Sequence, residues 1–120
     1  MLLGDFFEIE QQEVTEDHIQ SQIRLNVAHP IYQGHFPQQP VVPGVCMMQL
    51  LAELTSEALQ QPLKLKSANQ AKFLIPIVPE KAPQLTVKIK YSPTEDQEYK
   101  ITGSIHDAEL TFFKFKGRFA

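Results

Sequence analysis

The chain has 120 residues, 42% of them hydrophobic, with 11 Lys and Arg against 14 Asp and Glu and a formal net charge of −3. That is the size of one domain, residues 1–120, with enough apolar content to bury a core. Lys and Arg never cluster along the chain beyond a couple of residues, so the sequence gives nucleic-acid binding no electrostatic support. The single cysteine, Cys46, excludes a disulfide framework within one chain, and no zinc-ligand spacing occurs.

The opening Met-Leu-Leu meets Gly4 and Asp5 at once. This is too short for a signal peptide or a membrane span, so a cytoplasmic location is expected. Asp5 to Val14 mixes aromatics with acids and predicts a first strand, or a short strand with a turn. Ile19 to Val27 alternates, with Ile19, Ile23, Leu25 and Val27 on one side and Gln20, Gln22, Arg24 and Asn26 on the other. That pattern predicts a half-buried antiparallel strand.

His29-Pro30 ends this strand, and the stretch Gly34-His35-Phe36-Pro37-Gln38-Gln39-Pro40-Val41-Val42-Pro43-Gly44-Val45 follows. Each of its prolines fixes its own φ and pushes the preceding residue towards extended geometry, which predicts a stiff loop. A helix is predicted from about Pro43 to Gln60. Its first half (Val45, Cys46, Met47, Met48, Leu50, Leu51, Ala52) is apolar on nearly every side, which predicts burial on most faces. Polar character returns at Glu53, Ser56, Glu57 and Gln60, where the end is expected to reach water.

Strands are predicted for the remainder: Ala71 to Val78, Leu85 to Tyr91, Tyr99 to Ile105 and Glu109 to Phe119. In the last, Leu110 and Phe112 share one parity while Phe113, Phe115 and Phe119 share the other, and a bulge near Phe112-Phe113 would reconcile the two. One long helix with five or six antiparallel strands predicts an α+β fold in which a curved sheet wraps the helix. A histidine on a rigid loop beside a helix start is a candidate base next to a candidate oxyanion site.

With His35-Phe36-Pro37, Pro40 and Pro43-Gly44-Val45 leading into a buried helix, the chain resembles the hotdog-fold β-hydroxyacyl-acyl-carrier-protein dehydratases. Ala71-Lys72-Phe73 through Ile77-Val78-Pro79 is similar to a second family segment. The resemblance implies removal of water from a 3-hydroxyacyl thioester on acyl carrier protein to give the trans-2-enoyl product, without metal or organic cofactor. It also implies a homodimer or larger assembly, with sites built across two subunits and an exposed edge strand joining two copies into one sheet.

Carried over by position, His35 matches the histidine that handles the Cα proton and the hydroxyl. Gly44 matches the glycine whose N–H holds the thioester carbonyl. Phe36, Pro43, Val45 and Phe73 are the candidate substrate-lining residues. The family's acid falls fourteen positions after the histidine, where this chain has Gln49, and the family's usual Gln is here Glu53. An amide orients water or a hydroxyl but cannot donate a proton as an acid does. Glu53, one helical turn on, is the candidate replacement acid; its plainer reading is the start of the solvated helix end. His18, His29 and His106 lack the loop's frame and read as structural or exposed, and Cys46 as a small buried hydrophobe. The Lys64/Lys66 and Lys88/Lys90 pairs read as solvent-facing strand positions. An acidic carrier protein would want basic residues near the channel mouth, and the sequence alone does not choose among these lysines. Two other functions remain open: a non-catalytic acyl-binding subunit paired with an acid-bearing homologue, and a thioesterase.

Overall fold

The computed structural model describes residues 2–34 and 40–120. Six strands form one antiparallel sheet: β1 (Phe7–Val14), β2 (His18–Leu25), β3 (Leu65–Phe73), β4 (Gln84–Pro93), β5 (Tyr99–Asp107) and β6 (Leu110–Phe119). Their spatial order is β1-β2-β4-β5-β6-β3. A four-residue helix, α1 (Ile31–Gly34), precedes the long helix α2 (Gly44–Leu59). This is the α+β hotdog arrangement, a curved sheet wrapped on one long helix.

Alternation decides which face is wet. In β4, Leu85, Val87, Ile89 and Tyr91 are buried while Lys88 and Lys90 are exposed. In β2 the buried set is Ile19, Ser21, Ile23 and Leu25. Leu50, Leu51 and Leu54 of α2 are almost completely buried in the same core, each contributing about 1.5–3 kcal/mol relative to exposure. The helix lies so close to mid-sheet that a Cβ built on Gly103 of β5 would stand 3.0 Å from Leu51 Cδ1. A bare backbone at that position admits the leucine.

The bulge that would reconcile the two parities of β6 is present. Ile105 pairs with Phe113 but His106 pairs with Thr111, leaving Phe112 as the extra residue. Both phenylalanines are therefore buried. The Phe112 carbonyl accepts from the Leu74 N–H at 2.9 Å where the chain leaves β3.

Three expectations are corrected. The strand sought at Ala71 to Val78 is instead Leu65–Phe73, and the chain beyond it is irregular because Pro76 and Pro79 break the ladder. Its first residues escape pattern reading because β3 is an edge strand, exposed at nearly every position. Second, α2 is not apolar-buried all round: Val45 is 71% exposed and Gln49 shares its face one turn on. Third, Glu53 does not begin a solvated end. It is buried at 6% exposure, with Leu54 and Thr55 beside it. The helix stops at Gln60, whose left-handed conformation (φ 55°) turns its N–H onto the Ser56 carbonyl.

Candidate active site

Pro43 precedes the first turn of α2 in extended geometry and brings no side-chain cap. The opening N–H groups of the helix are thus left to whatever fills the space before them. Gly44 lines an apolar groove of about 380 Å³ with Val41, Val42, Met47, Phe73 and Ile75. The Val42 N–H donates to the Ile77 carbonyl at 2.9 Å, fixing the approach segment against the chain that leaves β3. Phe73 is half exposed at 52% and stacks on the buried Phe113 at 5.0 Å between ring centroids. Its outer ring edge covers Gly44: a Cβ there would stand 2.9 Å from Phe73 Cε1 and Cζ. Glycine at the helix start is what lets an aromatic wall come this close. A carbonyl lying in the groove would meet a helix N-terminus, with its partial positive charge, against an apolar wall.

The groove gathers Gly44 and Phe73 from opposite ends of α2 and β3, but not every candidate. Val45 points to solvent, and Pro43 is half-buried at the N-cap. His35 and Phe36 lie outside the described residues.

Gln49 and Glu53 line a different groove with Ser56, Glu57 and Leu63. The two are bonded: Gln49 Nε2 donates to Glu53 Oε2 at 2.8 Å. The remaining capacity of the carboxylate serves the start of the chain. Leu2 N–H donates to both oxygens at 2.9 Å, and Leu3 N–H donates to Oε1 at 2.8 Å. Both oxygens of Glu53 are therefore engaged by N–H donors, and Gln49 is held through its amide nitrogen with its carbonyl oxygen left over.

The other histidines are structural. His29 accepts from the Ile31 N–H through Nδ1 at 3.1 Å, so its Nε2 is the donor to Asp5 Oδ2 at 3.0 Å, and Phe6 meets the ring edge-on. His18 pairs with Asp17 on the surface. His106 bonds Ser104 and Thr111. Cys46 is buried, and burial pushes its thiol pKa up, the opposite of an activated nucleophile.

Tyr32 is a residue that sequence reading passed over. It is 5% exposed, packs on Phe6, and its hydroxyl has no partner among the described residues. Burial drives its pKa far above the ordinary phenol value, with Cys46 adding to the effect. A four-residue helix has too little periodicity to announce a buried aromatic.

Comparison with known proteins adds the family. The 3-hydroxyacyl-[acyl-carrier-protein] dehydratase of Syntrophobacter fumaroxidans is 26% identical over 98 residues, covering 75% of this chain and 65% of that one. A Streptococcus sanguinis dehydratase of the same description is 49% identical over 41 residues, 34% of this chain and 29% of that one. The chain thus spans about two thirds or less of the length of these relatives. Among solved structures, the dehydratase heterocomplex ApeI:P from Xenorhabdus doucetiae superposes with a TM-score of 0.67 at 20% identity, over 93% of this chain and 96% of that one. A Haemophilus influenzae thioesterase superposes at 0.61 with 14% identity, over 94% of this chain and 76% of that one. At those identities the likeness concerns the fold. The model of the ApeI-like family, described as ApeI dehydratase, matches residues 10–112, and the chain belongs to that family.

Proposed function

We propose that this protein dehydrates 3-hydroxyacyl thioesters presented on acyl carrier protein, in the cytoplasm, giving trans-2-enoyl thioesters. The observation that carries the reading is Gly44, an uncapped helix start opening into an apolar groove walled by Phe73. The thioester carbonyl accepts from the Gly44 N–H, which stabilises the enolate-like oxygen formed when the Cα proton leaves. One such preorganised donor is worth about 2.7–4 kcal/mol in acyl chemistry. His35, by its place in the Pro-Gly frame, is the base that takes the Cα proton and shuttles it, by way of water, to the acid that protonates the departing hydroxyl. Phe36, Pro43 and Val45 are assigned with Phe73 to the lining of the assembled channel.

In a site built across two subunits, Gln49 of one copy orients the hydroxyl or a water of the substrate held at Gly44 of the other. It does so through the carbonyl oxygen left over by its bond to Glu53, and Glu53 holds it in place. With its oxygens engaged by amides, Glu53 is assigned a positioning role, and water or a partner subunit supplies the acid. Exposed Phe73 and Ile75 line the groove, with exposed Leu74 between them in the chain, and β3 is an open edge. Such a surface fits coverage by a second copy or by a homologue.

A second reading is favoured by one observation, the amide at position 49 where the family has an acid. In that reading the chain is the acyl-binding subunit of a hetero-oligomer whose other member brings the carboxyl group. Its similarity in fold to one member of a dehydratase heterocomplex supports this alternative.

One assay separates the readings. The purified protein is given a 3-hydroxyacyl thioester, and enoyl product and free thiol are followed. Enoyl formation abolished by His35→Ala is the expected result. Free thiol instead means hydrolysis, and turnover that begins only on adding an acid-bearing homologue means the subunit reading. Gln49→Glu raises the rate if the missing acid limits it.

A further inference from the structure

The outer face of the sheet, opposite α2, carries a charge pattern that the linear sequence hides. Pairing places Lys88 beside Ser104, Ser104 beside Lys114, and Lys114 beside Lys72, making one row across four strands. The next row runs Lys90, Thr102, Lys116 and Gln70. Lys100 adds a sixth lysine one row further, opposite Ser92 and Arg118. All six lysines are exposed, and none has a carboxylate within 4.0 Å among the described residues. Among the described residues the acids next to these rows stand at the margins: Glu13 beyond Gln20, Glu10 bonded to Arg24 and Gln84, Asp17 bonded to His18, and Glu98 paired with Arg118. A protein with net charge −3 and 14 acids has thus concentrated more than half its cations on one surface.

The face also carries a groove. Lys88 and Lys90 on one side and Lys114 and Lys116 on the other flank a groove of about 410 Å³ floored by Thr102 and Ser104. Hydroxyl donors between two rails of ammonium groups suit carboxylates. The rails are lysine, which binds as a mobile point charge and does not lock bidentately onto phosphate. No Phe, Tyr or Trp projects from these rows, so there is no platform on which nucleic-acid bases would stack. Contacts of this kind speed encounter and release without holding tightly. The upper row ends at Lys72, adjacent in sequence to Phe73, the wall of the Gly44 groove.

We propose that the lysine rows of β3, β4 and β6 are the docking surface for an acidic protein, the carrier that delivers the acyl chain, seated so that its arm enters beside Phe73. This rests on the carrier-bound substrate proposed above and names the face that receives it.

The test measures binding of 3-hydroxyacyl-loaded carrier protein by fluorescence anisotropy, with turnover followed in parallel on the carrier-bound substrate and on a small soluble thioester. The variant Lys88→Glu/Lys114→Glu replaces exposed side chains, and its thermal unfolding serves as the folding control. Carrier affinity is expected to fall at least about tenfold in this variant and to weaken with added salt in the wild type. Lys64→Glu/Lys81→Glu, off the face, is expected to change affinity less than about twofold. Turnover of the small thioester, where present, stays unchanged while kcat/KM for the carrier-bound substrate falls in step with affinity.

Equal carrier affinity in wild type and double reversal overturns the docking face, even if both thioesters are dehydrated. Lost affinity in the reversal with no dehydration of either substrate upholds the face and rejects the dehydratase reading. Carrier displaced from the face by an oligonucleotide of higher affinity, or salt-sensitive self-association lost in the reversal, assigns the face to another occupant and overturns the proposal.

Discussion

The ring of Phe73 occupies the position that a methyl group on Gly44 would need, at 2.9 Å. Because that ring is half exposed, it can swing aside. Gly44→Ala is therefore expected to leave the melting temperature nearly unchanged, alanine being a good residue in a helix first turn. Activity is expected to fall by about tenfold to a hundredfold as the wall of the groove is displaced. Gly44→Ala/Phe73→Leu should recover part of the loss, measured as kcat/KM on a soluble thioester. If Gly44→Ala retains full activity, the groove is not where the carbonyl lies.

Glu53 joins the beginning of the chain to the middle of α2. Glu53→Ala removes the acceptor for Leu2, Leu3 and Gln49 together. It is expected to cost about 1.5–3 kcal/mol by chemical denaturation, since half-buried backbone donors lose a charged partner. Glu53→Gln keeps the volume but turns one acceptor into a donor facing backbone N–H groups, so it is expected to recover less than half of that. Amide exchange at Leu2 and Leu3 should accelerate in both. Unchanged stability in Glu53→Ala would remove the anchoring role.

Gly117 of β6 sits where β3 crosses closest. A Cβ there would collide with the Ser67 backbone carbonyl and approach Phe115 Cζ at 2.6 Å. A backbone obstacle cannot rotate away, so Gly117→Ala is expected to destabilise by about 1–3 kcal/mol. The fall should localise to β3, seen as faster hydrogen exchange for Leu65–Phe73 with β4 and β5 unaffected. The contrast with Gly44→Ala is the check.

His106 senses the basic face. Its pKa lies below the ordinary 6.5, first through burial and then through the positive charges of Lys88 and Lys114. The unfolded chain therefore binds this proton at a higher pH than the folded one. The contribution of His106 to stability is complete above about pH 6.5 and is lost as the pH falls through the window down to its folded value. A urea midpoint followed against pH should decline across that window, and His106→Gln should flatten the decline. NMR titration of the ring should show the pKa rising in Lys88→Ala, as one of the charges opposing protonation is removed.

The sequence by itself determined the elements whose signal is local. Alternation in β2, β4 and β5 reports a pleat with one dry face, and the parity switch at Phe112-Phe113 pointed to the bulge that the register displays. The Pro-Gly frame before Val45 located the start of α2. Where signals were absent, the reason is physical. The edge strand β3 buries almost nothing, so no period marks Leu65 to Gln70. The burial of Glu53 depends on two backbone amides some fifty residues away, which no helical period encodes. The lysines fall in pairs along the chain and become rows only when β4, β6 and β3 are brought into register. Tertiary structure alone set Phe73 against Gly44, because a wall and a helix start from distant segments meet only after the sheet has closed on α2.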